Sequence, residues 1–326
     1  MAVQSGVNLN MDDSYVDALN ACVVNRWNTL DVELRTNTFN APSRRGQLSR
    51  HDSEADALLD VKLFQRKHIR VFMNLLKRCN DHGLIDTEAL SKEYGITVID
   101  FGAGAATVGI AIRQQWGDSL NNLEYQPIEP HPAMRSIGSC LLKHLSKPQR
   151  SRSCPHCHLV FPFQVASNIC PNCEATIPTH DAYWRWPIRD YFNNLSQLEN
   201  EINQHYWRSQ DAPPWVRPKL FFTFSYVFQQ RSLKQEEVHH LAEVMDGLAG
   251  LTKNPMSDFY GATIEILATG ARTQELTNHL DTTLLPKFRE LNLQYKQKEL
   301  REYSESAWKR YIMLETNSPD WDDCDL

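Results

Sequence analysis

Apolar residues at Tyr15, Leu19, Cys22, Val23, Trp27 and Leu30 recur at intervals of three and four, which predicts an amphipathic helix over about 13–35. From Asn37 to Ser53 that period is lost among Pro42, Gly46 and several Ser and Arg, which predicts a loop. A second helix is expected from Glu54 to about Asn80, with Ser53 as its cap and Gly83 as its stop. From Thr97 onward, short apolar runs alternate with helical segments. Strands are predicted near 96–101, 124–129, 184–189, 219–225 and 260–268, with helices near 105–116, 132–145, 193–207, 234–249 and 272–280. Such alternation is the pattern of an α/β fold with a mostly parallel sheet and helices on both faces. Between Asn292 and Leu314 aromatic and polar residues partly alternate, which fits either a closing strand pair or a helix.

Composition narrows the class. The chain has 326 residues, of which 41% are hydrophobic and 10% aromatic, enough for a sizeable core, so a disordered or collagen-like chain is excluded. Its length allows about two domains. The formal charge of 34 − 40 = −6 excludes an all-over basic coat, while leaving room for a local basic surface. Lys62, Arg66 and Arg70 recur every four residues and form such a stripe, for which a solvated helix face is the plainer reading and a nucleic-acid contact the alternative. The densest apolar stretch, Leu220 to Phe228, is nine residues long and is broken by Thr223 and Ser225. A membrane span needs about 20, so this segment is expected to be a buried strand. The amino terminus lacks a basic start followed by an apolar core, so no secretory signal is read and a cytoplasmic location is expected.

The first predicted strand, Val98-Ile99-Asp100-Phe101, runs into the small-residue turn Gly102-Ala103-Gly104-Ala105-Ala106 and then into the helix Thr107 to Gln115. Glycines let backbone approach a ligand closely, and a helix start presents unbonded N–H groups, so this turn is a candidate cofactor cradle. Gly102 and Gly104 match only the first two glycines of the dinucleotide pattern, since Val108 misses the third and Gly109 comes one later. This poor spacing disfavours a nicotinamide-dependent oxidoreductase. Glu129 ends the next apolar segment, about 25 residues beyond the turn, where a carboxylate can accept from ribose hydroxyls.

Taken together, the turn and the acidic second strand resemble class I S-adenosylmethionine-dependent methyltransferases. The resemblance covers about residues 96–270. It implies a Rossmann-like domain in which Asp100 lies near the amino-acid part of the cofactor, Gly102 and Gly104 pass beneath it, and Glu129 binds ribose. Less specifically, Asp190 is similar to the third-strand acid that reaches the adenine amino group; a helix cap is the other reading of this residue. The segment 219–228, KLFFTFSYVF, resembles the fourth strand leading to the active-site loop. It lacks the D-P-P-Y or N-P-P-Y sequence of base amino methyltransferases and the Pro-Cys of carbon-5 enzymes, which lowers the weight of those two chemistries. Ala106 departs from the family where a third glycine is often found. No general base is identified by the sequence; Tyr226 is a candidate, and His131 is expected at a helix start on the surface.

Eight cysteines divide into a cluster and four singles. Cys154-Pro-His-Cys157 and Cys170-Pro-Asn-Cys173 have the C-x2-C-x12-C-x2-C spacing of two knuckles that satisfy tetrahedral Zn²⁺, a pattern similar to a zinc ribbon, with an iron–sulfur centre as the alternative. Four thiolates close the coordination sphere, so the expected role is structural. Cys22, Cys79, Cys140 and Cys324 are read as packing or surface thiols with no disulfide framework. The expected organisation is an N-terminal helical region over 1–90 and a methyltransferase-like domain over 91–326, with a zinc-ribbon insertion at 151–178. The expected activity is methyl transfer to an oxygen or nitrogen of a macromolecule, RNA or protein. The competing expectation is a catalytically inactive relative that binds or regulates through the ribbon.

Overall fold

The computed structural model describes residues 13–40, 53–85, 96–116, 123–145, 151–153, 160–162, 172–173, 219–229, 233–254, 260–271, 278–300 and 307–314. The predicted strand at 184–189, the helix at 193–207 and Asp190 lie outside them.

Six strands form one sheet: β1 (Ile96–Phe101), β2 (Leu123–Ile128), β5 (Lys219–Ser225), β6 (Thr263–Ala271), β7 (Tyr295–Glu299) and β8 (Ala307–Leu314). Their order is β2-β1-β5-β6-β8-β7. The first four run parallel, in registers such as Asp100 beside Pro127 and Thr223. β8 is antiparallel to both of its neighbours, so the described residues 295–299 and 307–314 form a closing strand pair and not a helix. Mixed sheets of this kind, with a reversed strand toward one edge, are common in doubly wound α/β folds. Among the described residues β2 lies at the opposite edge, a position where Pro127 removes no sheet hydrogen bond to a described neighbour.

Alternation along each strand sends side chains to two cores. Val98, Tyr125, Phe221, Leu267 and Tyr311 join one, while Ile99, Phe101, Phe222, Phe224, Ile266 and Ile312 join the other. The first core is closed by α1 (Asp13–Leu19), α4 (Glu54–Asp60), α5 (Arg66–Asp81), α6 (Thr107–Trp116) and α7 (Pro132–Leu145). The second is closed by α8 (Gln235–Lys253) and α9 (Leu285–Glu290). The amino-terminal helices therefore share a core with the sheet.

Several boundaries differ from the periodic reading. The first helix is α1, a wider π-type turn at Asn20–Val24, and a short α2 (Asn25–Thr29), after which the chain breaks at Leu30. A further helix, α3 (Val32–Asn40), occupies the start of the expected loop. Its signal is Asp31, whose carboxylate accepts from the N–H groups of Glu33 and Leu34 and so caps the new helix. The second helix matches well: Ser53 caps α4 by accepting from the Asp56 N–H, and Gly83 ends α5 with φ +68. Most of the helix predicted at 272–280 lies outside the described residues. A helical segment does begin after Asn278, which accepts from the Leu280 N–H, and it continues into α9 with Pro286 in the first turn.

Cys22 and Cys140 are joined as a disulfide, tying the turn after α1 to α7 across 118 residues of sequence. This overturns the reading of both as unpaired thiols. Two distant cysteines brought together by folding leave no trace in sequence spacing. A short antiparallel hairpin, β3 (Ser151–Ser153) with β4 (Val160–Pro162), brackets the first cysteine pair of the ribbon motif. Cys154, Cys157 and Cys170 lie outside the described residues, and Cys173 is exposed in a turn. No described helix is long and apolar enough to cross a membrane.

Candidate cofactor site

At the carboxyl end of β1 the chain alternates in and out of left-handed conformation, with φ +62 at Gly102, +56 at Gly104 and +62 at Ala106. Glycine costs nothing there, but Ala106 carries a Cβ in that region and is fully buried, so the turn holds local strain. The two glycines are needed for different reasons. A Cβ on Gly102 would come within 2.8 Å of the Val227 side chain, whereas a Cβ on Gly104 would enter open space. Gly104 is therefore required by its φ, and the room above it is where another molecule's atoms can approach the backbone.

Glu129 follows β2 and is 4% exposed. Its carboxylate accepts from the Gly104 N–H at 2.8 Å and from the His131 N–H at 2.9 Å. The Arg135 guanidinium donates to the carbonyls of Glu129 and Pro130, which fixes this corner. Burial pushes the Glu129 carboxyl up, against the lowering effect of the two N–H donors and of the nearby His131 and Arg135. A carboxylate has about four acceptor positions, and two of these are taken by the backbone. The remainder can serve two hydroxyl donors.

Asp100 sits differently. It is fully buried, with Oδ2 accepting from the Tyr125 hydroxyl at 2.6 Å and Oδ1 from the Thr223 hydroxyl at 3.0 Å. Burial raises its carboxyl to about 7 against the opposing pull of these two donors, with the Glu129 charge adding to the rise. Asp100 thus braces β1 between β2 and β5 beneath the turn. Gly109 completes the brace, since a Cβ there would come within 2.6 Å of the Tyr125 ring. That close approach of helix to strand is the use of the glycine that falls outside the dinucleotide spacing.

Beside the turn lie the end of β5 and the amino-terminal helices. Tyr226 directly follows β5 with φ +64, an unusual conformation for an aromatic residue, held by its N–H to the Thr269 carbonyl at 2.9 Å. Its ring stacks on His68 of α5, centroids 4.1 Å apart. Three residues earlier, buried Gln65 donates to the Ala105 carbonyl at 2.7 Å and accepts from the Tyr15 hydroxyl. Gln65 lies in a π-type turn, Val61–Gln65, a distortion often found at functional sites. Burial drives the His68 imidazole down to about 4 and the Tyr226 phenol up to about 12. At neutral pH one is therefore an uncharged base and the other a protonated phenol.

The structure brings together Asp100, Gly102, Gly104, Glu129 and Tyr226 from the sequence reading. It adds Gln65, His68, Tyr125 and Thr223. Thr223 is visible in the sequence as a polar residue inside an apolar strand, but nothing there links residues 65 and 68 to the turn.

No family model matches the chain, and no curated protein matches it. Its fold is similar to solved structures that include human N-acetylserotonin methyltransferase in complex with SAM, at 11% identity, covering 93% of this chain and 66% of that one with a TM-score of 0.40. Another is an O-methyltransferase family protein from Burkholderia thailandensis, at 12% identity, 82% and 61% coverage and a TM-score of 0.38. A third is the plantazolicin methyltransferase BpumL in complex with SAH, at 10% identity, 93% and 99% coverage and a TM-score of 0.36. The chain spans just under two thirds of the length of the first two proteins.

Proposed function

We propose that the protein is an S-adenosylmethionine-dependent methyltransferase acting on an oxygen or nitrogen of a macromolecular acceptor. The observation that carries this reading is the pairing of Glu129 with the Gly104 backbone: a desolvated carboxylate with spare acceptor capacity beside a turn open to a ligand. These residues fit the cofactor. Glu129 would take the ribose hydroxyls, the Gly102–Gly104 turn would lie beneath the amino-acid part, and Asp100 would hold the turn from below. Asp190 remains the proposed adenine contact. The sulfonium supplies an already activated methyl group, so the chain's task is to orient the acceptor and manage one proton. His68 and Tyr226 lie beside the turn with complementary chemistry, an uncharged imidazole that can accept a hydrogen bond from the acceptor group and a phenol that can donate one.

Cys154, Cys157, Cys170 and Cys173 are proposed to hold a structural Zn²⁺. The donor set suits this ion, and the paired strands on either side of the first two cysteines are what a knuckle requires.

Glu129→Ala or Gly104→Val should abolish binding of S-adenosylmethionine, and turnover should fall in parallel. If both variants bind the cofactor as well as the wild type does, the proposed site is wrong.

A further inference from the structure

The helix that supplies Gln65 and His68 to the site also carries an outward face that the cofactor reading does not use. Phe64 is 44% exposed and Leu63 is 47% exposed. Arg66, Lys67 and Arg70 are exposed on the same helix, at three, four and seven residues from Leu63, with Lys67 also one turn from Phe64, and none of these three forms an ion pair among the described residues. In a chain of net charge −6, this concentration of cations is a local feature. The rings are ordered as well. Phe64 lies nearly parallel to His68, planes 16° and centroids 6.4 Å apart, and His68 stacks on Tyr226 with planes 25° and centroids 4.1 Å apart. A column of three rings therefore runs from the surface to the strand end beside the glycine turn, where Gln65 bonds to Ala105.

An exposed ring at the head of a column offers a stacking platform to another flat ring, and neighbouring guanidinium and ammonium groups suit phosphates. We propose that the exposed side of this helix, the Arg66, Lys67 and Arg70 stripe with Phe64 at its edge, binds a single-stranded stretch of RNA and presents it to the site. A base stacks on Phe64 and the backbone phosphates follow the cations. The inference deepens the methyltransferase reading by naming RNA as the acceptor class, and rests on that reading for the catalytic consequence only. Unstacked bases in single strands are the usual target of such surfaces. An acidic peptide would satisfy the cations but leave the ring column without a purpose.

The test is fluorescence anisotropy of the full chain with a labelled twelve-residue oligouridylate, compared with a labelled oligoglutamate peptide over a range of salt concentrations. The expected result is saturable RNA binding that Phe64→Ala weakens by about tenfold or more, the loss of one stacked base. The triple variant Arg66→Ala, Lys67→Ala, Arg70→Ala should weaken it further and flatten the salt dependence by a slope of about 2, at roughly 0.7 for each phosphate that is no longer neutralised. RNA affinity unchanged in both variants, or binding of the peptide without binding of RNA, would overturn the proposal. Calorimetry with S-adenosylmethionine on the triple variant separates the two readings. Intact cofactor binding with no RNA binding by the wild type removes this surface alone, and RNA binding without cofactor binding removes the methyltransferase reading alone.

Discussion

Asp100→Asn isolates the charge at the base of the turn. The wild-type carboxyl is fully buried and titrates near 7 in the folded chain, against an ordinary value of 3.8. Below pH 3.8 both folded and unfolded chains keep the proton, and this group's contribution to stability is fully present. Between 3.8 and about 7 the unfolded chain releases the proton while the folded chain retains it, so stability falls as pH rises, by about 1.4 kcal/mol per pH unit. Above 7 both forms are ionised and the slope ends. Integrated over that window, the loss is about 4 kcal/mol. Asparagine has nearly the same shape and does not titrate. Its carbonyl oxygen can accept from Thr223, and its amide can donate to the Tyr125 oxygen if that hydroxyl turns. Any fixed packing cost is independent of pH and cancels from the comparison. Urea unfolding of both proteins between pH 4.5 and 8 is the assay. The stability of Asp100→Asn relative to wild type should rise by about 3 kcal/mol across that range. A difference that stays constant within about 1 kcal/mol would refute a buried, proton-holding Asp100.

Other parts of the structure make separate predictions. Replacing both Cys22 and Cys140 with alanine should lower stability by up to about 5 kcal/mol, the loop entropy of a 118-residue link; a reductant should then destabilise the wild type and not the variant, as thermal unfolding with and without phosphine will show. Ala106→Gly removes a left-handed Cβ from the turn and should leave stability unchanged or raise it by about 1 kcal/mol, while Ala106→Val should lower it; denaturant midpoints decide, and a stabilised valine variant contradicts the left-handed turn. Cys154→Ser should release metal and lower stability, and unchanged metal content by elemental analysis would remove the zinc proposal.

Much of the framework is legible in the sequence because it depends on local pattern. The strands at 96–101 and 219–225 stand at their predicted positions, since apolar runs bounded by turn residues define a buried strand without reference to the rest of the chain. The meeting of Gly102, Gly104 and Glu129 is legible because a left-handed turn at a strand end selects glycine, and an acid closing the next apolar strand lies beside it. The break at Leu30 is obscured by a continuing apolar period, although Asp31 carries a cap signal that outweighs it. His68, Gln65 and the Cys22–Cys140 bond are not legible, because each acts across a tertiary contact. Gln65 looks like an ordinary helix residue until its buried amide is seen on the Ala105 carbonyl. The strand pair at the C-terminus is undecidable from its alternation, and register with β6 settles it.

The turn at Gly102–Gly104 and the Glu129 carboxylate are proposed to bind S-adenosylmethionine. Isothermal titration of the purified, metal-analysed protein with S-adenosylmethionine, S-adenosylhomocysteine and NADH tests this most directly. Saturable one-site binding of the first two, absent for NADH and lost in Glu129→Ala, is the predicted result. A folded protein that binds neither adenosyl compound has no such cofactor site at the turn.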